Sequence, residues 1–237
     1  MAPARRVRRA LSERRLVSMP MAPMHMPGES GLGAVASFAG MWVVMMAAMM
    51  LPSLVPELLR YREAVGRRGG VRPGRLTVLA GAGYFAVWAG VGLVVYAVSI
   101  ALSAIARRHP TLEGATPLAA GVVITIAGAL QFSAWKARHL ACCRAVPGRL
   151  SELVPTSRAA WLHGLRHGYH CVSGCAGLTA ILLVIGMMDL RAMAMIAAAI
   201  TAERLAPAGE RVARIIGVLA IVAGLVLLVT AGSGLES

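Results

Sequence analysis

Charge is what this chain has little of. Only 14% of its 237 residues are charged, while 58% are hydrophobic. An ordinary soluble domain is roughly 45–50% apolar. A soluble all-helical protein would also need polar faces on its helices, and the long apolar runs here have none. Aromatics make up 5% of the chain, too few for a platform on which nucleotide bases stack. No helix-turn-helix or zinc-finger spacing accompanies the net charge of +14, so no nucleic acid is expected as a partner. Cysteine is limited to four positions, and two of these, Cys142 and Cys143, are adjacent and badly placed to bridge, which argues against a disulfide framework. No apolar core of signal-peptide length lies between the N-terminal arginines and the first long apolar run, so no cleaved signal is expected.

What remains is apolar sequence in blocks, with a mean hydropathy of +0.71. The charges are mostly arginines confined to the gaps between blocks. That pattern predicts an all-α, polytopic transmembrane helical bundle of about six membrane segments, embedded in a lipid bilayer. The expected segments are about 34–56, 78–105, 117–134, 171–188, 190–205 and 212–232. A basic, Met/His-rich tail over 1–33 precedes the helical domain at 34–232, and 233–237 forms a short tail. The flanking arginines set topology and meet anionic head groups. Placing both termini outside puts fifteen Lys and Arg on the inner loops against nine outside. This orientation, in a bacterial inner membrane, is the expected one, although the six arginines of the tail oppose its translocation. Pro52 and Pro56 are expected to end or kink the first segment. Asp189 and Arg191 are expected to pair or to mark a tight turn, because a carboxylate deep in the bilayer costs roughly 2.5–3.5 kcal/mol on insertion scales.

Sulfur and imidazole are concentrated in a few places. The organising stretch is Gly164-Leu-Arg-His-Gly-Tyr-His-Cys-Val-Ser-Gly-Cys175, with His163 just before it. On a helix, His163, His167 and His170 form one stripe, with Cys171 on its shoulder and Cys175 one turn above Cys171. Nitrogen and sulfur ligands on one face suit a soft or borderline transition metal. A second patch, His139-x-x-Cys142-Cys143, ends the third apolar run, and the two patches could close on one ion. Lys136, Arg138 and Arg144 beside it would favour the thiolate, the ligand form. An inert or palmitoylated Cys-Cys pair is the alternative. Five of the fourteen methionines fall within residues 41–50: Met41, Met45 and Met49 make one stripe, and Met46 and Met50 make another about 100° round. They are adaptable packing or a ladder of thioethers, with Met45 and Met49 as the metal candidates. The tail segment Met19-Pro-Met-Ala-Pro-Met-His-Met-Pro27 is too proline-rich for a helix and reads as a linker or a weak Cu(I) binder.

Four segments together resemble a bacterial family of integral membrane proteins described as predicted metal-binding, with a domain of unknown function. They are Met41-Trp-Val-Val-Met-Met-Ala-Ala-Met-Met-Leu-Pro-Ser53, Gly83-Tyr-Phe-Ala-Val-Trp-Ala-Gly90, Leu130-Gln-Phe-Ser-Ala-Trp-Lys136 leading into Cys143-Arg144, and the organising stretch itself. The last continues through Gly186-Met-Met-Asp-Leu to Glu203-Arg-Leu-Ala-Pro207, so the resemblance covers about 35–232. It departs from the family pattern where His139 stands at a cysteine position, where Cys171-Val-Ser-Gly-Cys175 replaces a differently spaced run, and where Glu203-Arg204 replaces Glu-Lys. Many relatives also carry an additional span before the Met-rich one. The resemblance implies metal binding and fixes neither the metal nor a reaction.

Three functions compete at this level. The first is a metal transporter or membrane metal chaperone, with copper favoured over zinc or iron and with a homo-oligomer or a metallochaperone as a conceivable partner. The second is a membrane enzyme. His163-x-x-x-His167 resembles half of a zinc-hydrolase site, but the glutamate of His-Glu-x-x-His is missing. A base would have to come from Glu152, Asp189 or Glu203. The third is a membrane subunit without catalysis, in which Cys and His merely pack.

Overall fold

The computed structural model describes residues 31–69, 72–109, 116–144, 155–187 and 189–233. Within these there are seven helices and no strand. They are α1 (Gly31–Arg67), α2 (Pro73–Arg108), α3 (Thr116–Leu130), α4 (Ala134–Arg144), α5 (Ser157–Ile185), α6 (Leu190–Leu205) and α7 (Gly209–Ser233). The Met/His tail, Glu152, Met188 and the last four residues lie outside the described residues.

Four helices, α1, α2, α5 and α7, are long and apolar enough to cross a membrane. The pair α3 and α4, bent by 64°, makes a fifth if it counts as one span. Among the described residues there are thus four or five candidate spans, where about six are expected. One reason is α6, whose 16 residues fall short of the about 20 needed to cross.

Several element boundaries differ from expectation for local reasons. Pro52 and Pro56 sit inside α1, which continues to Arg67. Ser53 Oγ, next to the first proline, donates to Met50 O at 3.0 Å within the same helix. The organising stretch lies in the body of one helix, because α5 already starts at Ser157. Thr156 caps it, its Oγ1 accepting from Ala159 N at 3.3 Å. Asp189 does not pair with Arg191. Its carboxylate instead caps α6, accepting from Arg191 N at 2.8 Å and Ala192 N at 3.2 Å.

Small residues let the helices meet closely. Gly164 of α5 lies against the backbone of Ala80 on α2, where any Cβ would run into the Ala80 carbonyl oxygen. One turn on, a Cβ at Gly168 would meet Tyr84 O at 2.9 Å. Gly121 and Gly128 of α3 meet Gly224 and Gly217 of α7 in the same manner. The core between α1, α2, α5 and α6 holds Trp42, Met46, Met50, Leu54, Trp88 and Ile200. Trp42 Nε1 donates to Trp88 O at 2.8 Å and ties α1 to α2.

Candidate metal centre

Tight α2–α5 packing brings the sulfur face of α5 into the core. Cys171 and Cys175 are one helical turn apart and both buried, with their Sγ atoms 3.9 Å apart. Met50 of α1 reaches the same point, its Sδ 4.0 Å from Cys171 Sγ. Tyr84 of α2 places its hydroxyl 3.0 Å from Cys171 Sγ. Cys171 Sγ thus has two further sulfurs, one from its own helix and one from α1, within 4.0 Å.

The fourth wall is cationic. Arg204 of α6 is 7% exposed. Its Nη1 donates to Ser53 Oγ at 3.0 Å and to Cys171 Sγ at 3.3 Å. Its Nη2 lies 3.0 Å from His167 Nε2. A guanidinium only donates, so Nε2 accepts and His167 carries its proton on Nδ1. In that tautomer the 3.7 Å approach of Glu57 Oε2 to His167 Nε2 is no hydrogen bond. Consistently, Glu57 Oε2 is buried without a partner, as is Arg204 Nε. Glu57 borders a cavity of about 10 Å³, room for one water, together with Tyr61, Tyr84, His163 and His167.

Glu203 points the other way. Its Oε2 pairs with Lys136 Nζ of α4 at 2.6 Å, and its Oε1 accepts from Gln131 Nε2 at 3.0 Å. Lys136 also donates to Gly174 O at 2.6 Å. The lysine expected to favour a thiolate at Cys142 or Cys143 therefore spends its charge on Glu203.

The remaining sequence candidates divide. His139 and His170 meet across α4 and α5, with their Nδ1 atoms 3.1 Å apart. His163 stacks on Tyr61, ring centroids 4.9 Å apart, and lies 6.5 Å from the His167 ring. Cys143 is buried and Cys142 partly so. Among the described residues, no three His, Cys, Asp or Glu side chains form a group that could hold a metal ion. Besides the two thiols, the soft donor lying against this cysteine pair is a thioether. Met49 is buried in the core and Met45 packs partly against it, but the methionine in contact with a cysteine is Met50. Met50 was visible as a member of the second stripe. Arg204 and Glu57 were not singled out, although two charges, Glu203 and Arg204, inside apolar sequence are the usual signature of a functional site.

A family model described as a copper chaperone (PpoB2) matches residues 39–227. No curated protein matches the chain. No solved structure matches it either.

Proposed function

Taking as premise that the chain belongs to the copper chaperone family matched over residues 39–227, we propose that it is an integral membrane chaperone. It holds Cu(I) as cargo between Met50, Cys171 and Cys175, in a bacterial inner membrane that it crosses several times.

One observation carries this reading. Three sulfurs bound in a plane to one ion at about 2.3 Å lie about 4.0 Å from one another. The two sulfur–sulfur distances from Cys171 Sγ, 3.9 Å to Cys175 and 4.0 Å to Met50, match that spacing. Thiolates suit Cu(I) and Zn(II) alike, and the soft thioether weights the choice toward Cu(I). The surroundings support the same choice. Buried Trp88, Leu178 and Leu182 share this core with the sulfurs, and a dry, soft site protects a monovalent ion from water and oxidant. In this reading His139, His163, His167 and His170, with Cys142 and Cys143, serve as outer donors that pass the ion in or out.

The test is metal content by mass spectrometry on protein purified in detergent under reducing conditions. One copper per chain is expected, with absorption spectroscopy showing sulfur near 2.3 Å. C171S and C175S should each lower the copper recovered per chain, and the double variant C171S/C175S should abolish it. Wild-type protein that takes up no copper after loading would overturn the reading.

A further inference from the structure

We propose that Arg204 sets the valence of the ion that the sulfur site accepts, favouring a monovalent soft ion over a divalent one. The inference rests on the sulfur-site reading above and deepens it from metal binding to discrimination among metals.

Arg204 is a buried cation in an unusual position. Among the described residues, no carboxylate lies within ion-pair distance of it. Its neighbour in sequence, Glu203, is committed to Lys136. Glu57, the nearest alternative, faces His167 and the one-water cavity instead. What the guanidinium touches is a hydroxyl, an imidazole nitrogen and the Cys171 thiol. A buried charge requires a counter-charge. Among the described residues, the hydrogen-bonding partner of Arg204 that can supply one is the Cys171 sulfur.

Charge counting then separates the ions. A monovalent ion on the two thiolates of Cys171 and Cys175 leaves one negative charge, and Arg204 cancels it. A divalent ion on the same two thiolates is already neutral, and Arg204 leaves one positive charge uncompensated in a low-dielectric interior. An ionised Glu57 would act in the opposite sense, but it lies beyond ion-pair distance of Arg204, whereas the Arg204 guanidinium touches Cys171 Sγ at 3.3 Å, so replacing Arg204 still removes the contribution that favours the monovalent ion. Met50 contributes a neutral thioether and does not alter the count. The Ser53 contact and the His167 contact hold the guanidinium against the sulfurs rather than letting it swing to solvent. Arg204 is thus a specificity-determining residue rather than a ligand.

The experiment compares Cu(I) and Zn(II) affinities of detergent-purified wild type, R204K and R204M, each by competition with a chromophoric chelator. Ag(I) serves as a second monovalent probe. R204M should lower the Cu(I)-to-Zn(II) affinity ratio by about a hundredfold, the scale of one buried unit charge left unpaired. Ag(I) should fall with Cu(I), and R204K should keep most of the wild-type ratio. In a C175S background one negative charge is gone from the loaded site, so R204M should cost Cu(I) less there than in wild type. A merely structural role would weaken both metals alike and show no dependence on Cys175. An unchanged ratio in R204M would overturn the proposal while leaving copper binding intact. Wild type that binds no Cu(I) would instead remove the reading underneath. If R204M does not yield monodisperse protein, R204Q takes its place, and equal ratios in R204Q and R204K overturn the inference.

Discussion

Lys136 and Glu203 form an ion pair at 2.6 Å with both side chains almost fully enclosed, 6% and 2% exposed. The pair joins α4 to α6, and the Gly174 carbonyl and the Gln131 amide complete it. Breaking a buried pair leaves an uncompensated charge and costs about 3–5 kcal/mol, whereas removing both members costs far less. K136M and E203Q should each lower the melting temperature in detergent sharply. The double variant should recover a large part of that loss. Additive losses in the double variant would show that the two side chains do not depend on each other.

The α2–α5 contact makes a second prediction. At Gly164 a methyl group has nowhere to go, because it meets backbone rather than a flexible side chain. Overpacking of this kind costs about 1–3 kcal/mol. G164A should therefore destabilise the fold and loosen the sulfur site with it. At Gly90 nothing lies within 4 Å of the added carbon, so G90A should be tolerated. Thermal unfolding of the two variants side by side checks this.

Met50 and its neighbours in the methionine ladder should behave differently. Replacing methionine by leucine conserves volume and usually costs under about 1.5 kcal/mol, so M50L should fold. It loses one of three sulfurs, and Cu(I) affinity should drop by about tenfold or more, 1.4 kcal/mol per decade. M45L and M49L should leave affinity unchanged, since neither sulfur is the one in contact with Cys171. Chelator competition distinguishes the three. A loss in M45L equal to that in M50L would move the site outward along α1.

The imidazole pair offers a contrast. If His139 and His170 only convey the ion, H139A/H170A should retain one copper per chain and slow the approach to that value in stopped-flow loading. Loss of stoichiometry in this variant would place the resident ion on nitrogen rather than sulfur.

Composition alone carried the all-helical class, because apolar runs of this length leave few other folds open. The motif positions were equally legible, since His and Cys at helical spacing share a face wherever the helix begins. The extent of α5 was not. Arg158, His163 and Arg166 lower the hydropathy of its first half and suggest a loop, while the Thr156 cap and the glycine contacts with α2 make it helix. Nor was the centre itself legible. Met50, Cys171 and Arg204 are drawn together from three helices, and no periodicity within one helix reports a meeting between helices. Arg204 falls at the edge of the expected 190–205 segment, where a charge ordinarily faces the interface.

The contact between Met50 and Cys171 joins positions 121 residues apart. An ion held there acts as a removable crosslink across that long stretch of chain. In the chain-entropy picture, a covalent clasp closing about 100 residues is worth roughly 4.7 kcal/mol. Cargo and staple would then be the same atom. Loading would tighten the bundle, and unloading would return it to a looser form. Handing the ion to an acceptor would then be a mechanical act, in which α1 and α5 part company while the acceptor's own ligands take hold.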